Sequence, residues 1–259
     1  MTESERPHYD SFLNMSKIRG PLAEGLARQA IETTRPWLSK PVAELDVLDV
    51  GSGYGHTALA LARSCRRVIG VEPSSALVAS ARDLAIESEQ PNLEFRQGVA
   101  EELPFDGAFD LIVLDNVYEH IPDQRTALER ICRALRPGGA AYILVPNRLW
   151  PIEAHYHLPF LSWLPLPLAN AYLRRSGRGS DYEDASYAPT YWSLRRELRA
   201  NPELSFEFVL PGDPSATVAG SPLHYRVGMS LLRRVPALWA ISKALLVVAV
   251  KDGSSVQPE

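Results

Sequence analysis

Between Leu45 and Pro146 the chain alternates short apolar runs with amphipathic stretches, and the two periodicities predict different elements. The runs DVLDV, RVIGVE, LEFRQG, FDLIVLD and AAYILVP are strand-length and mostly apolar, as strands covered on both faces tend to be. Between them, HTALALARSC, SSALVASARDLAIE and DQRTALERICRAL space their apolar residues three and four apart, which is one face of a helix. The predicted order is β-α-β-α-β, a short link, then β-α-β. Strands that alternate with helices imply a mostly parallel sheet, and right-handed crossovers put helices on both of its faces. The third helix stops at RPGG, where Pro137 cannot continue it and Gly138 and Gly139 permit the turn into the next strand.

Outside this region the pattern is less regular. One amphipathic helix is expected from Pro21 to Thr34, with Leu22, Leu26, Ala30 and Ile31 on one side. After Pro146 the chain becomes rich in proline and aromatics. It then reads as a helix (TYWSLRRELRA), a strand (SFEFVL), an irregular stretch to about Leu223, an apolar helix (MSLLRRVPALWAISKALL) and a last strand (LLVVAV). Two late strands bring the sheet to seven. The organisation that follows is a helix and lid over 1–40, a core over 41–147, a cap over 148–189, and a closing part over 190–259 with a second cap segment at 211–240.

Composition narrows the class. A chain of 259 residues that is 46% hydrophobic and 22% charged has the make-up of one globular unit with room for an insertion. Twenty-seven basic residues against 31 acidic ones leave a net charge of −4, which removes the electrostatic argument for a nucleic-acid partner. Cys65 and Cys132 fall in separate predicted helices, so no disulfide framework is expected and a cytoplasmic location is. The first residues lack an apolar core flanked by basic ones, and no run of 18 apolar residues occurs, so neither a signal peptide nor a membrane span is expected.

The candidate chemistry begins at VLDVGSGYGHTALALA, where a strand ends at Val50 and glycines at 51, 53 and 55 lead into a helix. Glycine is needed where a ligand lies against backbone and where tight turns require positive φ. The dinucleotide fingerprint G-x-G-x-x-G requires glycine at position 56, which is His56 here, so a nicotinamide-dependent oxidoreductase is the weaker reading. Glu72 ends the next strand, 21 residues after Gly51, at the spacing where a carboxylate accepts ribose hydroxyls.

From about Asp46 to Asn147 the chain resembles the class I S-adenosylmethionine-dependent methyltransferases, whose loop reads Asp/Glu-x-Gly-x-Gly-x-Gly. Within them it looks most like the small-molecule branch that includes quinone-biosynthesis enzymes. The resemblance implies a Rossmann-like seven-stranded α/β sheet, S-adenosylmethionine as cofactor, and binding residues Asp49, Gly51, Ser52, Gly53, Gly55, Glu72 and Pro73. QGVAEELPFDGAFDLIVLDNVYEHIPD matches the family's adenine turn and fourth strand, which implies Val99, Ala100 and Glu101 around adenine and Asp115 and Asn116 along the methionine. Val99 stands where relatives commonly carry an acidic residue, so adenine contact falls to backbone groups, apolar surface and Glu101. Tyr9 and Arg19 are candidates for a lid over the cofactor, with Arg19 meeting its carboxylate.

Methyl transfer from a sulfonium needs alignment and exclusion of water more than a protein nucleophile. A hydroxyl acceptor benefits from a general base, and histidine is the usual choice near neutral pH. The candidates are His155 and His157, which an extended segment would point the same way, and His120 beside the fourth strand. Two histidines with Glu153 and no further ligand cluster do not make a metal site, so none is expected. The cap LPFLSWLPLPLANAYLRR suits a hydrophobic acceptor, a membrane surface rimmed by Arg174 and Arg175, or a dimer contact. O-methylation of a small or amphiphilic metabolite by a monomer or homodimer is the leading expectation. A glycan or lipid-linked sugar acceptor, C- or N-methylation, and a cofactor-binding regulator without turnover are the alternatives.

Overall fold

The computed structural model describes residues 9–210, 228, 231–232 and 234–253, with residues 9–21 described as backbone only. Its centre is a seven-stranded sheet of β1 (Asp46–Val50), β2 (Arg67–Glu72), β3 (Leu93–Gln97), β4 (Phe109–Asp115), β5 (Leu135–Pro146), β6 (Leu204–Phe208) and β7 (Ala244–Lys251). The spatial order is β3-β2-β1-β4-β5-β7-β6. The first five strands run parallel, and β7 lies antiparallel between β5 and β6. The winding reverses between β1 and β4, so the crevice at their carboxyl ends is where an open α/β sheet binds ligands.

Each face of the sheet has its own core. Leu48, Val50, Ile112 and Leu114 pack with α4 (Gln124–Ala134) and α6 (Tyr191–Arg199). Val47, Leu111 and Val113 pack with α1 (Tyr9–Thr34), α2 (His56–Ala62) and α3 (Ser75–Glu87) on the other. Neighbouring residues of one strand thus serve opposite cores, which is why β1 and β4 are buried along their whole length. The helix α4 ends at Ala134, and Gly139 sits where a Cβ would come within 3.0 Å of the Arg136 and Phe109 carbonyl oxygens.

Three elements depart from the pattern-based expectation. The helix α1 starts at Tyr9 and runs through Pro21, a position read as its start; an interior proline forfeits one backbone bond without having to end the helix. The cap carries a helix that was not anticipated, α5 (Leu166–Ser176), beside a 3-10 turn at Leu161–Trp163. Leu158, Leu161, Ala169, Leu173 and Tyr182 give this cap a small core separate from the two main ones. The late apolar helix stops earlier than expected: the described residues 228, 231, 232 and 234 are helical, and Pro236, which denies the α-helix its continuity, opens a 3-10 segment, Pro236–Ile241, before β7. Most of the second cap segment expected at 211–240 lies outside the described residues.

At the amino-terminal edge of the sheet, Asp46 and Asp110 join β1 to β4 through shared cations. Asp46 is paired with Arg66 and accepts a bond from Arg136 at 2.7 Å, while Asp110 accepts from Lys40 at 2.7 Å and from Arg136 at 2.6 Å. Burial alone would raise the Asp46 pKa, but the Arg66 and Arg136 bonds and the Arg67 charge outweigh it and hold the value below the ordinary one. The stabilisation is therefore complete above about pH 3.9, the unfolded value, and is lost as pH falls through the lower folded value. Asp46→Asn is expected to lower the melting temperature at pH 7 by roughly 3–6 °C, with the gap to wild type closing below the folded pKa. A gap that stays constant through strong acid would show that the ion pairs contribute nothing.

Candidate functional site

The loop after β1 turns on three left-handed glycines, Gly51 (φ 69°), Gly53 (φ 53°) and Gly55 (φ 82°). Two of them answer to neighbours inside the protein. A Cβ on Gly51 would lie 2.5 Å from Val117, and one on Gly55 would lie 2.4 Å from Phe95. The loop is pinned to the next strand, since the Gly51 and Ser52 amides both donate to the Val71 carbonyl at 2.7 and 3.1 Å. Asp49 is buried on β1 just ahead of the loop, and the Ser52 hydroxyl is buried with no hydrogen-bond partner.

Glu72 ends β2 at 7% exposure and faces this loop. Its Oε2 accepts the Gly53 amide at 3.1 Å, and its Oε1 accepts the Ser74 amide at 3.0 Å. Burial raises its pKa, and the two backbone donors work against that rise. Each oxygen keeps a lone pair, so the carboxylate can still take two hydroxyl protons from a ligand. The expected adenine region follows β3, where Gln97 donates to the exposed Pro73 carbonyl at 3.1 Å. Val99 is extended and half-buried, and Ala100 is buried at the head of the turn Ala100–Glu102, which contains Glu101.

At the carboxyl end of β4, Asn116 holds φ 53°, uncommon for a residue with a side chain and typical of functional turns. Its amide nitrogen donates to Asp115 Oδ1 at 2.7 Å, and its backbone N–H donates to the Leu144 carbonyl at 2.8 Å. A single 3-10 turn, Tyr118–His120, follows directly. Tyr118 is fully buried and fixes the turn, and Glu119 beside it is 0% exposed with neither carboxylate oxygen hydrogen-bonded.

Two histidines converge on that carboxylate. Nε2 of His120 lies 3.9 Å and Nε2 of His155 3.8 Å from Glu119 Oε1, and the two rings meet edge to face at 5.0 Å. The far side of each ring is held. Nδ1 of His120 lies 2.9 Å from the Asp184 carbonyl oxygen, and Nδ1 of His155 lies 2.9 Å from Glu153 Oε1. Glu153 is itself buried, and its Oε2 accepts the amides of His155 and Tyr156 at 2.8 and 2.5 Å. Burial raises the Glu119 pKa; for His120 burial pulls the other way but is outweighed by Asp184 and Glu119, leaving its pKa above the ordinary value.

His157 does not join this cluster. The segment from Glu153 is a tight turn, with the His157 amide donating to the Glu153 carbonyl at 3.0 Å and His157 itself at φ 53°. The extended geometry that would have pointed His155 and His157 the same way is absent, because Glu153 gathers the amides that follow it. Tyr9 and Arg19 lie on α1, but their side chains are outside the described residues. The pattern-based reading missed Glu119 and the orienting roles of Glu153 and Asp184. The one signal for Glu119 was its place beside His120 in the turn after a buried strand.

A cleft beneath the cap runs from the end of β5 to His155, bounded by Trp150, Ile152, Glu153 and Tyr182. A second cleft, around Asp46, Arg66 and Arg136, opens at the opposite edge of the sheet among paired charges. It has no part in this site.

Comparison with known proteins agrees with this fold. Residues 48–143 match the model of the methyltransferase domain family. An uncharacterized methyltransferase of Bacillus subtilis, YcgJ, is 41% identical over 106 residues, which are 40% of this chain and 42% of that protein, so the chain spans less than half the length of this relative. The ubiquinone biosynthesis O-methyltransferase of Nitrobacter winogradskyi is 32% identical over 178 residues, covering 62% of this chain and 67% of that protein. Among solved structures, the plantazolicin methyltransferase BpumL, in complex with a monoazolic desmethylPZN analog and SAH, superposes over 96% of this chain and 91% of its own with a TM-score of 0.63 at 15% identity. The fold is that of these relatives, and the chain belongs to the class I S-adenosylmethionine-dependent methyltransferases.

Proposed function

We propose that this chain transfers the methyl group of S-adenosylmethionine to a hydroxyl of a small or amphiphilic metabolite. The residues fit the cofactor. Glu72 keeps a free lone pair on each oxygen for a ribose, and the Ser52 hydroxyl is a buried polar atom still without a partner. The cofactor supplies an electrophilic methyl carbon: the C–S bond breaks with its electron pair leaving on sulfur as a C–O bond forms to the acceptor, whose proton must depart.

The observation that carries the choice of oxygen is the pair of histidine Nε2 atoms brought together at the end of β4, where both rings turn their Nδ1 toward acceptors. A hydroxyl needs its proton drawn off, and lone pairs aimed at one spot are the groups that do it. The Nitrobacter relative is an O-methyltransferase of ubiquinone biosynthesis, which supports the same choice. His155 and His120 serve the acceptor end; His157 does not. Asp115 and Asn116 line the methionine end, and Val99, Ala100 and Glu101 the adenine.

An amphiphilic acceptor suits the cap. Phe160 and Trp163 meet edge to face at 4.7 Å with both half exposed, and Leu168 is more exposed still. Arg174 and Arg175 follow in the last turn of α5. That arrangement also favours a second reading, in which the acceptor is a lipid-linked sugar met at a membrane surface. No helix among the described residues is long and apolar enough to cross a membrane, and both cysteines are free and buried, which supports a cytoplasmic enzyme.

The test uses methyl-labelled S-adenosylmethionine and a panel of phenolic, aliphatic and sugar hydroxyl compounds with matched amines. Label is expected in an ether that resists mild base. Label that enters only the amines would overturn the choice of oxygen. His155→Ala is expected to lower turnover at least tenfold with cofactor affinity unchanged, whereas His157→Ala leaves both near wild type. Equal losses in the two variants would return the question to packing of the cap.

A further inference from the structure

We propose that Glu119, His120 and His155 together bind a divalent transition-metal ion of the zinc class, with an open coordination position for the acceptor oxygen. The metal site stands on the geometry alone; the role toward an acceptor rests on the methyl-transfer reading above.

Three observations converge. The first is the protonation pattern fixed by the ring partners. A carbonyl oxygen can only accept, so the 2.9 Å approach of His120 Nδ1 to the Asp184 carbonyl places the proton on Nδ1. The Glu153 carboxylate, already accepting two backbone amides, does the same for His155. In the neutral form of each ring, the form that binds metal, Nε2 is therefore the nitrogen with the lone pair, and a carboxylate or carbonyl behind each imidazole is the outer-shell arrangement that metal-bound histidines share.

The second is Glu119. A fully buried carboxylate with both oxygens unpartnered is costly, because nothing replaces the water it has lost. Either a proton or a cation has to compensate it. The third is the spacing. One ligand atom from each of Glu119, His120 and His155 falls within 4.8 Å of the others. The Nε2–Oε1 separations of 3.8 and 3.9 Å are too long for hydrogen bonds. They are close to what two ligands about 2.1 Å from one ion require, with a closure of a few tenths of an ångström.

The donor set selects the ion. Two imidazoles and one carboxylate suit zinc and its first-row neighbours, whereas magnesium and calcium ask for oxygen throughout. Three protein ligands also leave room for a fourth, the pattern of catalytic rather than structural zinc. With both Nε2 lone pairs on the ion, the ion would take over the histidines' part: it would lower the pKa of a hydroxyl bound at the open position, whose proton would pass to solvent rather than to a ring. His155 comes from the cap and the other two ligands from the turn after β4, so the ion would also tie the cap to the core. The expectation that no metal is bound rested on His155, His157 and Glu153. The fold replaces the last two with Glu119 and His120, and Glu153 moves to the outer shell.

The test is metal binding by the full chain after chelator treatment. One equivalent of Co²⁺ is expected to bind with visible ligand-field bands, to be displaced by Zn²⁺, and to be unaffected by excess Mg²⁺. Glu119→Gln and His155→Ala should each weaken Co²⁺ binding at least tenfold, and Glu153→Gln between about ten- and a hundredfold. His157→Ala should bind as wild type. S-adenosylhomocysteine affinity, read in the same samples, should stay constant and so reports that the variants are folded. Absence of stoichiometric Co²⁺ uptake, or uptake that survives Glu119→Gln and His155→Ala, would overturn the proposal and leave a proton as what neutralises Glu119. Co²⁺ bound as expected with no labelled ether in the hydroxyl panel would keep the metal site and sink the O-methylation reading instead.

Discussion

Glu72→Ala is expected to lower affinity for S-adenosylmethionine and S-adenosylhomocysteine by ten- to a hundredfold, measured by titration calorimetry. Two losses add. The ribose gives up two charge-assisted bonds, each of which is worth about 1.5–3 kcal/mol when it goes to an ionised partner, less what water returns. The loop also loses its tie, because the same carboxylate accepts the amides of Gly53 and Ser74. An ordering cost that the wild-type protein meets on folding would then fall on binding. Glu72→Gln separates the two, since it keeps an acceptor for one amide while halving the acceptors offered to the ribose, and its affinity should fall between. Unchanged affinity in both variants would remove Glu72 from the cofactor site and with it the main residue-level support for the methyl-transfer reading.

The core of this fold was legible because its signals are local. A parallel strand covered on both faces must be an apolar run, so β1 and β4 announce themselves as DVLDV and FDLIVLD. The glycine loop and Glu72 were legible for the same reason, each being a short spacing tied to one strand end. The helix α5 also carried local signals, a proline in its first turn, Arg174 and Arg175 in its last, and Gly177 at φ 69° just past it. They lie inside a segment read only as a cap rich in proline and aromatics, with no helix expected in it, although proline in a first turn favours one.

The proposed acceptor site was only half legible, because it is assembled across the chain. Glu119 and His120 lie on the turn after β4, and His155 returns from beyond β5. Nothing in periodicity reports that two such segments meet. His155 and His157 were paired on the assumption of an extended chain, and that pairing failed because one buried carboxylate, Glu153, folds the segment into a turn around itself. A side chain that captures backbone amides overrides the spacing rule for strands.

The second large effect is expected at Gly55, where alanine should lower the melting temperature by roughly 5–15 °C, read by scanning calorimetry without ligand. The glycine loop was first explained by a cofactor lying against its backbone, yet this position is demanded by the protein itself. Left-handed backbone costs a residue with a Cβ about 1–2 kcal/mol. The new methyl group would also sit 2.4 and 2.9 Å from two ring carbons of Phe95 and 3.1 Å from the Ala81 Cβ. Phe95 cannot swing aside, because it is 3% exposed and its ring already fills the space over Gly70, where a Cβ would lie 2.5 Å from it. Overpacking of this kind costs a further 1–3 kcal/mol. Phe95→Leu separates the two contributions in a double-mutant cycle. If the clash matters, Gly55→Ala will cost clearly less in the Phe95→Leu background than in the wild type. If the costs simply add, the whole effect is backbone strain, and the contact between the loop and β3 has no part in requiring glycine there.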